Sequence, residues 1–300
     1  MRAAPPSESF EAPAGRDDGV AVALGGGAAR GLAHILMIEA LDELGVRPRI
    51  VAGTSMGAIV GACYAGGLSG REIREHAEGW LAKPTDFVRR IAGKWPGSVL
   101  SLWNPMTPSM FNGETLFEIV LPERLPRTFE ALPIPFLAVA ADFYAQEQVI
   151  LDKGALIPAV AASASLPALL KPVRLGERLL IDGGFVNPTP FDLVMDKAAI
   201  TVAVDVTGTN SRRPDTGMPS SVEAWIGAAQ ITLHSITREK LKSIAPDILI
   251  RPNVGAFGAL EFFKMPEILE AAMPAKEELK RRLGEQLEKL ARSPRAAHGH

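Results

Sequence analysis

The sequence predicts an α/β fold built on a parallel sheet, because strand and helix patterns alternate from its first ordered segment. A short apolar run, GVAVAL, covers residues 19–24 and ends in glycines, and helical spacing follows over Leu32–Leu44. A second strand pattern at Arg49–Ala52 leads almost directly into a helix pattern at Met56–Ala65. Strand, helix, strand, helix in so short a stretch is typical of βαβ units, whose strands run parallel.

Later segments continue this organisation. We expect strands at Ile134–Ala141, Gln148–Leu151, Arg178–Ile181, Ile200–Val206 and Ile248–Ile250, and helices at Ile157–Ser163, Val222–Leu241 and around Leu279, Leu283, Leu287 and Leu290. Residues 84–112 contain several prolines and no clear period, which predicts a long loop or a short-helix excursion, such as a lid. We therefore expect a disordered leader at 1–18, one domain at 19–292 and a flexible tail at 293–300.

Composition narrows the classes of protein. The chain is 47% hydrophobic and 22% charged, enough for a large core, and its net charge of −2 indicates no nucleic-acid partner. The single cysteine, Cys63, excludes an internal disulfide framework and fits a reducing compartment. The leader lacks the apolar core of a signal peptide, and the uncharged stretch Ile50–Gly70 is too rich in glycine for a membrane span. We expect a cytoplasmic protein that can also contact a membrane peripherally.

The strongest chemical signal is Gly53-Thr54-Ser55-Met56-Gly57, a Gly-x-Ser-x-Gly pattern between a predicted strand and a predicted helix. A serine on such a strand-to-helix turn is exposed, and flanking glycines let the turn close and a substrate approach. The helix N-terminus behind it adds partial positive charge. Ser55 is therefore predicted to be a nucleophile, and Gly53 and Gly57 to shape its turn.

A second glycine cluster, Gly25-Gly26-Gly27, also follows a strand and precedes a helix. Consecutive glycines expose backbone N–H groups, which suits an oxyanion hole that stabilises charge in the transition state. The alternative is a dinucleotide-binding turn, which requires Gly-x-Gly-x-x-Gly and an acidic residue at the end of the next strand. Here Arg30 replaces the last glycine, and the next strand ends in the serine motif.

A serine nucleophile needs a base, and the third signal, Asp182-Gly183-Gly184 at a strand end, offers one. Taken alone, this motif is more typical of an ordinary turn. A histidine would be the usual base, but none of the five stands out. His34 is expected to support the glycine loop, His76 to be solvated on a helix, His234 to lie mid-helix, and His298 and His300 to lie in the tail. A dyad without histidine is favoured.

Taken together, the blocks LGGGAARGLAH, GTSMGAIVGACYAGG and LLIDGGFVNPTP resemble the bacterial patatin-like phospholipase family. The segments AADFYAQEQVIL and AASASLPALLKPV are similar too, and the resemblance runs from about Val20 to Val206. It implies a three-layer α/β/α sandwich with a central, mostly parallel sheet. It also implies Ser55 as nucleophile, Asp182 as its base, Gly183 and Gly184 as the turn of the proton acceptor, and Gly25, Gly26, Gly27 and Arg30 as the oxyanion loop.

The expected activity is that of a serine acyl hydrolase of the phospholipase A, lysophospholipase or esterase type, acting on a lipid or acyl-ester substrate. We expect no metal and no cofactor. An acyltransferase using the same acyl-enzyme and a non-catalytic lipid-binding regulator remain alternatives. The aromatic residues Trp80, Trp95, Trp103 and Phe111 are expected either to form an apolar lid or interfacial patch or to pack in the core.

Overall fold

The computed structural model describes residues 18–94, 112–208, 218 and 221–292. The predicted leader up to residue 17, the predicted tail at 293–300 and the 95–111 part of the predicted excursion lie outside the described residues. Trp95, Trp103 and Phe111 of the aromatic group, and His298 and His300, therefore also lie outside them.

A single mixed sheet is the centre of the described structure. Its strands are Val20–Leu24 (β1), Ile50–Thr54 (β2), Phe136–Asp142 (β3), Glu147–Leu151 (β4), Val173–Leu175 (β5), Arg178–Asp182 (β6), Ile200–Val204 (β7) and Ile248–Ile250 (β8). They lie in the order β5-β6-β3-β2-β1-β7-β8, and β4 also pairs with β3. The five strands β1, β2, β3, β7 and β8 run parallel, whereas β3 pairs antiparallel with β4 and with β6, and β6 pairs antiparallel with β5. The mostly parallel sheet is confirmed.

Helices flank this sheet. The α-helices among the described residues are His34–Glu43 (α1), Met56–Ala65 (α2), Gly70–Leu81 (α3), Pro84–Lys94 (α4), Gly113–Val120 (α5), Leu156–Ser163 (α6), Ser221–Ser243 (α7) and Met265–Arg292 (α8). The first predicted helix is divided, because residues Ala28–Ala33 form a 3-10 helix before α1 begins. The closing helix starts at Met265, well before its leucine pattern. Helix α4 lies at the start of the predicted excursion, in agreement with the short-helix alternative for that part of it.

The side chains of β1 show how the three layers form. Every residue of β1 is buried, and alternate residues of a strand point to opposite faces. Val20, Val22 and Leu24 belong to the larger core, which α1, α2 and α8 cover. Ala21 and Ala23 face the other side, where Phe191, Val194 and the helix α7 residue Leu241 pack. Apolar layers on both faces give the predicted α/β/α sandwich.

Strand register determines where the two motifs meet. Thr54 at the end of β2 is paired with Val139 of β3, and the next β3 residue, Ala140, is paired with Asp182 of β6. The residue after Thr54 is Ser55. The Ser55 turn and Asp182 therefore reach the same level of the sheet, at the carboxyl edge of its parallel strands, where α/β folds bind ligands.

Trp80, the described tryptophan of the predicted aromatic group, packs in the core and does not form an exposed lid or interfacial patch. It is only 8% exposed and packs edge-on against Phe87, with ring centroids 6.1 Å apart. Phe87 in turn contacts Phe263 edge-on at 6.0 Å. Within the described ranges, no helix has both the length and the apolar character needed to cross a lipid bilayer.

Candidate active site

The turn between β2 and α2 is tightly closed around Ser55. The backbone of Ser55 has φ 55° and ψ −120°, a conformation that costs a residue with a side chain roughly 1–3 kcal/mol. A Cβ on Gly57 would lie 2.1 Å from the Leu24 carbonyl oxygen, and a Cβ on Gly53 would lie 2.4 Å from the Gly57 carbonyl oxygen. Both glycines are needed because the backbone segments touch, and their contacts hold Ser55 in its strained position.

The structure brings Ser55 and Asp182 together. The Ser55 hydroxyl donates a hydrogen bond to Asp182 Oδ2 at 2.6 Å, and the Gly184 amide donates to Asp182 Oδ1 at 2.7 Å. Gly183 lies so close to β3 that a Cβ there would come within 2.1 Å of the Val139 carbonyl oxygen. The Asp-Gly-Gly turn thus fixes one carboxylate oxygen and directs the other at the serine.

Burial changes the acidity of this carboxyl group. Asp182 is 3% exposed, and its burial raises the pKa from 3.8 to about 6, although the hydrogen bonds from Ser55 and Gly184 oppose the rise. A carboxylate with a higher pKa is a stronger base. Among the described residues no imidazole nitrogen hydrogen-bonds to either side chain.

A further serine, Ser163 at the end of α6, contacts the same turn. The backbone N–H of Ser55 donates to Ser163 Oγ at 3.0 Å, and that hydroxyl donates to the Val139 carbonyl oxygen at 2.6 Å. The sequence motifs do not predict a role for this residue. The available signal was a pair of serines, Ser163 and Ser165, in the otherwise apolar stretch AVAASAS, where buried hydroxyls require partners.

The glycine loop lies beside Ser55, but its amides differ from the prediction. A Cβ on Gly26 would lie 3.2 Å from Ser55 Cβ. The amide of Gly25 donates to the Val204 carbonyl at 3.0 Å, and that of Gly26 donates to the Pro188 carbonyl at 2.8 Å. These two N–H groups are therefore already used within the protein. Within the described part of the chain, the amides of Gly27 and Ala28 have no acceptor.

Arg30 also differs from its predicted place in the oxyanion loop. Its guanidinium donates to three backbone carbonyls: Nε to Phe257 at 2.8 Å, Nη1 to Thr207 at 2.9 Å and Nη2 to Gly255 at 3.4 Å. The side chain is 2% exposed. Since these donors are directed at the segments after β7 and β8, Arg30 fastens the loop to the rest of the fold and does not present its charge at Ser55.

His34 supports the glycine loop, as expected. Its Nε2 lies 2.7 Å from the Gly25 carbonyl oxygen, so Nε2 carries the proton and donates. Burial lowers the pKa of His34 to about 4, against smaller opposing effects of the Gly25 hydrogen bond and the charge of Asp205. The ring is neutral near pH 7.

The remaining histidines lie elsewhere in the fold. His76 is not solvated as expected: it is half-buried, and its Nε2 lies 2.6 Å from the Val120 carbonyl oxygen. His234 lies on α7, where its buried Nδ1 has no partner among the described residues. No group of three or more His, Cys, Asp or Glu side chains in the described ranges is arranged to hold a metal ion.

A family model described as patatin-like phospholipase matches residues 22–195. An NTE family protein of Mycobacterium tuberculosis is 33% identical over 210 residues, which are 69% of this chain and 54% of that protein. Patatin-like phospholipase domain-containing protein 7 of Rattus norvegicus is 33% identical over 209 residues, which are 69% of this chain and 15% of the rat protein. The chain thus spans about half the length of the mycobacterial relative and far less of the rat one.

Two solved structures are similar to parts of the fold. VipD from Legionella pneumophila has a TM-score of 0.48 and 14% identity, covering 89% of this chain and 67% of VipD. ExoU of Pseudomonas aeruginosa, solved in complex with SpcU, has a TM-score of 0.40 and 15% identity, covering 92% of this chain and 53% of ExoU.

Proposed function

The chain belongs to the patatin-like phospholipase family, and from that premise we propose that it is a serine acyl hydrolase that cleaves acyl esters of lipids through Ser55 and Asp182. The observation that carries the proposal is the 2.6 Å hydrogen bond from the Ser55 hydroxyl to a buried carboxylate. This bond joins a strained serine to a carboxyl group with a raised pKa, beside a loop in which the amides of Gly27 and Ala28 are unused.

In the first step Asp182 Oδ2 accepts the hydroxyl proton as Ser55 Oγ attacks the ester carbonyl carbon. The new Oγ–C bond gives a tetrahedral intermediate with a negative oxygen. When that intermediate collapses, the bond to the alcohol breaks and the proton held by Asp182 passes to the departing oxygen. The products of this step are the free alcohol and an acyl-Ser55 ester.

The second step repeats the chemistry with water. Asp182 takes a proton from a water molecule as its oxygen attacks the acyl carbon, and a second tetrahedral intermediate forms. Its collapse breaks the C–Oγ bond, releases the fatty acid and returns the proton to Ser55. The aspartate alternates between carboxylate and carboxylic acid, which its pKa of about 6 allows near neutral pH.

For the oxyanion we propose the amides of Gly27 and Ala28 as donors, in place of those of Gly25 and Gly26. The amides of Gly25 and Gly26 donate to the carbonyls of Val204 and Pro188, respectively, and so fix the loop. The next two amides stay available for a ligand. Ala28 has φ 50°, unusual for a residue with a side chain, and this conformation belongs to the turn that leads into the 3-10 helix. Donors of this kind are typically worth about 100- to 1,000-fold in rate.

Apolar side chains next to the aspartate favour an acyl-chain substrate. Phe185 follows the Asp-Gly-Gly turn and lies near Trp225 of α7, with ring centroids 6.4 Å apart. Trp225 is 36% exposed, and Leu233 on the same helix lies against Gly184. These side chains offer an apolar surface beside the nucleophile, which suits a hydrocarbon chain.

The proposal is tested with Ser55→Ala, Asp182→Asn and the wild type on a short-chain p-nitrophenyl ester, phosphatidylcholine and lysophosphatidylcholine. We expect fatty-acid release by the wild type and near-complete loss in both variants, with the fold retained by circular dichroism. A fluorophosphonate probe should label the wild type and not Ser55→Ala. Ser243→Ala, at the exposed end of α7, is the matched serine control.

Two results would contradict this assignment. Retained turnover or labelling in Ser55→Ala would remove Ser55 as the nucleophile. Loss in His234→Ala equal to that in Ser55→Ala would replace the aspartate with a histidine base. Adding an alcohol acceptor during turnover would reveal acyl transfer, because the acyl group would then appear on the acceptor instead of as free acid.

A further inference from the structure

We infer that Ser163 is a positioning residue for the nucleophile: its hydroxyl holds the backbone amide of Ser55 and ties it to strand β3. This inference rests on the proposed function, in which Ser55 attacks the substrate. Ser163 does not touch the reacting atoms, since its contact is with the amide and not with the Ser55 hydroxyl.

The hydroxyl of Ser163 is fully used by two backbone groups. It accepts from the Ser55 N–H at 3.0 Å and donates to the Val139 carbonyl at 2.6 Å. A serine hydroxyl has one proton to donate and can accept at the same time, so this arrangement fixes its orientation. Because Ser163 has no solvent exposure, water cannot readily replace it.

The position of Ser55 makes this contact important. A residue at φ 55° and ψ −120° stays there only when its surroundings hold it. On one side Gly53 and Gly57 allow the close contacts of the turn, and on the other Ser163 pairs the Ser55 amide. Without that hydroxyl the buried amide loses its partner, and the turn can relax away from Asp182.

The same end of α6 also contacts the aspartate. The Asp182 amide donates to the backbone carbonyl of Ser165 at 3.0 Å. The short segment from Ser163 to Ser165 thus bonds to the backbones of both partners in the 2.6 Å hydrogen bond. The end of α6 and the two residues after it are therefore a second link between Ser55 and Asp182, besides the sheet.

Ser165 supplies a close internal control. It is as fully buried as Ser163, but its hydroxyl donates to the Ala161 carbonyl of α6 at 2.6 Å. Its link to Asp182 uses the backbone carbonyl, which a side-chain substitution retains. Ser163→Ala and Ser165→Ala therefore remove the same atom from neighbouring buried sites, and only the first reaches the nucleophile.

The test compares both variants for kcat and KM on a short-chain ester, for the rate constant of fluorophosphonate labelling, and for Tm. We expect Ser163→Ala to lose about 10- to 100-fold in kcat and in labelling rate with little change in KM, because a misplacement near 1 Å can cost that much. Ser165→Ala should lose a similar amount of Tm and less than about threefold in kcat.

Equal losses of kcat in the two variants, or no loss in Ser163→Ala, would overturn the inference. If Ser163→Ala does not fold, Ser163→Cys and Ser165→Cys replace the pair, since a thiol fills the same space but bonds weakly. The expected difference in labelling rate is then smaller and has the same direction. Ser55→Ala separates the two hypotheses, because turnover in that variant contradicts the proposed function. If Ser55→Ala is inactive and Ser163→Ala and Ser165→Ala lose kcat equally, only the positioning role is contradicted.

Discussion

Ser55 and Asp182 are 127 residues apart in the chain, and their side chains are joined by a 2.6 Å hydrogen bond. The sheet explains this contact, because the β2, β3 and β6 pairings bring the ends of two strands to one level. The aspartate is buried and its second oxygen is held by Gly184. A carboxylate so placed can act as the base without an intervening imidazole.

The first prediction concerns the pH dependence of the rate. The base must be ionised, and burial raises the pKa of Asp182 to about 6, so kcat/KM should fall about tenfold per pH unit below that value. Rates on a short-chain ester between pH 4.5 and 8.5 would show this fall in kcat/KM. His34 should not contribute to it, because its pKa is lowered to about 4 and it is already neutral there. If the fall in kcat/KM near pH 6 disappeared in His34→Ala, Asp182 would not be the group that titrates.

The second prediction concerns the stability of Asp182→Asn. The folded protein holds the Asp182 proton more tightly than the unfolded chain, because the pKa is about 6 instead of 3.8. Wild-type stability should therefore decrease as pH rises from about 4 to about 6 and remain lower above. Asparagine cannot ionise, so the variant should be more stable than wild type above pH 7, by roughly 2–3 kcal/mol, and similar near pH 4. Urea unfolding at both pH values measures this, and an equal difference at both would refute it.

The third prediction tests the glycine loop. In Gly27→Ala the added Cβ would lie 2.7 Å from Val206 Cγ2 and 3.0 Å from the Val206 carbonyl oxygen. The loop must shift, and its donors move with it, so kcat should fall about 100-fold. Gly284→Ala on α8 meets no atom within 4 Å and should keep full activity while gaining up to about 1 kcal/mol of stability. The kcat and Tm of both variants give the comparison, and full activity in Gly27→Ala would count against the loop as oxyanion hole.

The sequence predicted the parts of the site that depend on local pattern. The turn around Ser55 follows from two glycines between a strand and a helix, and Asp182 from its place at a strand end. What the sequence could not predict also has a physical reason. Whether the amides of Gly25 and Gly26 are available depends on carbonyls at Pro188 and Val204, which no local pattern reveals.

The same reason explains the elements that were missed. Helix α5 has eight residues, of which only Gly113 and Phe117 are buried, so its apolar pattern is too short for a clear period, although the Asn112 side chain caps its start by accepting from the Thr115 amide. Strand β5 has three residues and is defined by its pairing with β6. Short or sparsely apolar elements are specified by tertiary contacts more than by propensity.

The last prediction concerns Arg30, whose guanidinium links the glycine loop to three distant carbonyls. The acceptors on Thr207, Gly255 and Phe257 all lie beyond residues 22–195, the part that the family model matches. A lysine has one ammonium group and cannot reproduce the planar fork, so Arg30→Lys should keep the charge and lose two of the three bonds. We expect about a tenfold loss of kcat with little change in KM, because the loop would be displaced while the substrate surface remains.

The matched control for this change is Arg282→Lys on α8. Arg282 also donates to a backbone carbonyl, that of Leu249, at 2.8 Å, but it lies on the closing helix, and its other hydrogen bond goes to Glu278 of the same helix. It should retain wild-type kcat. Measured side by side with Tm, equal kcat losses in the two variants would mean that Arg30 acts through general stability. A loss confined to Arg30→Lys would mean that segments after β7 and β8 set the geometry of the glycine loop, and that the chain beyond residue 195 is needed for the rate.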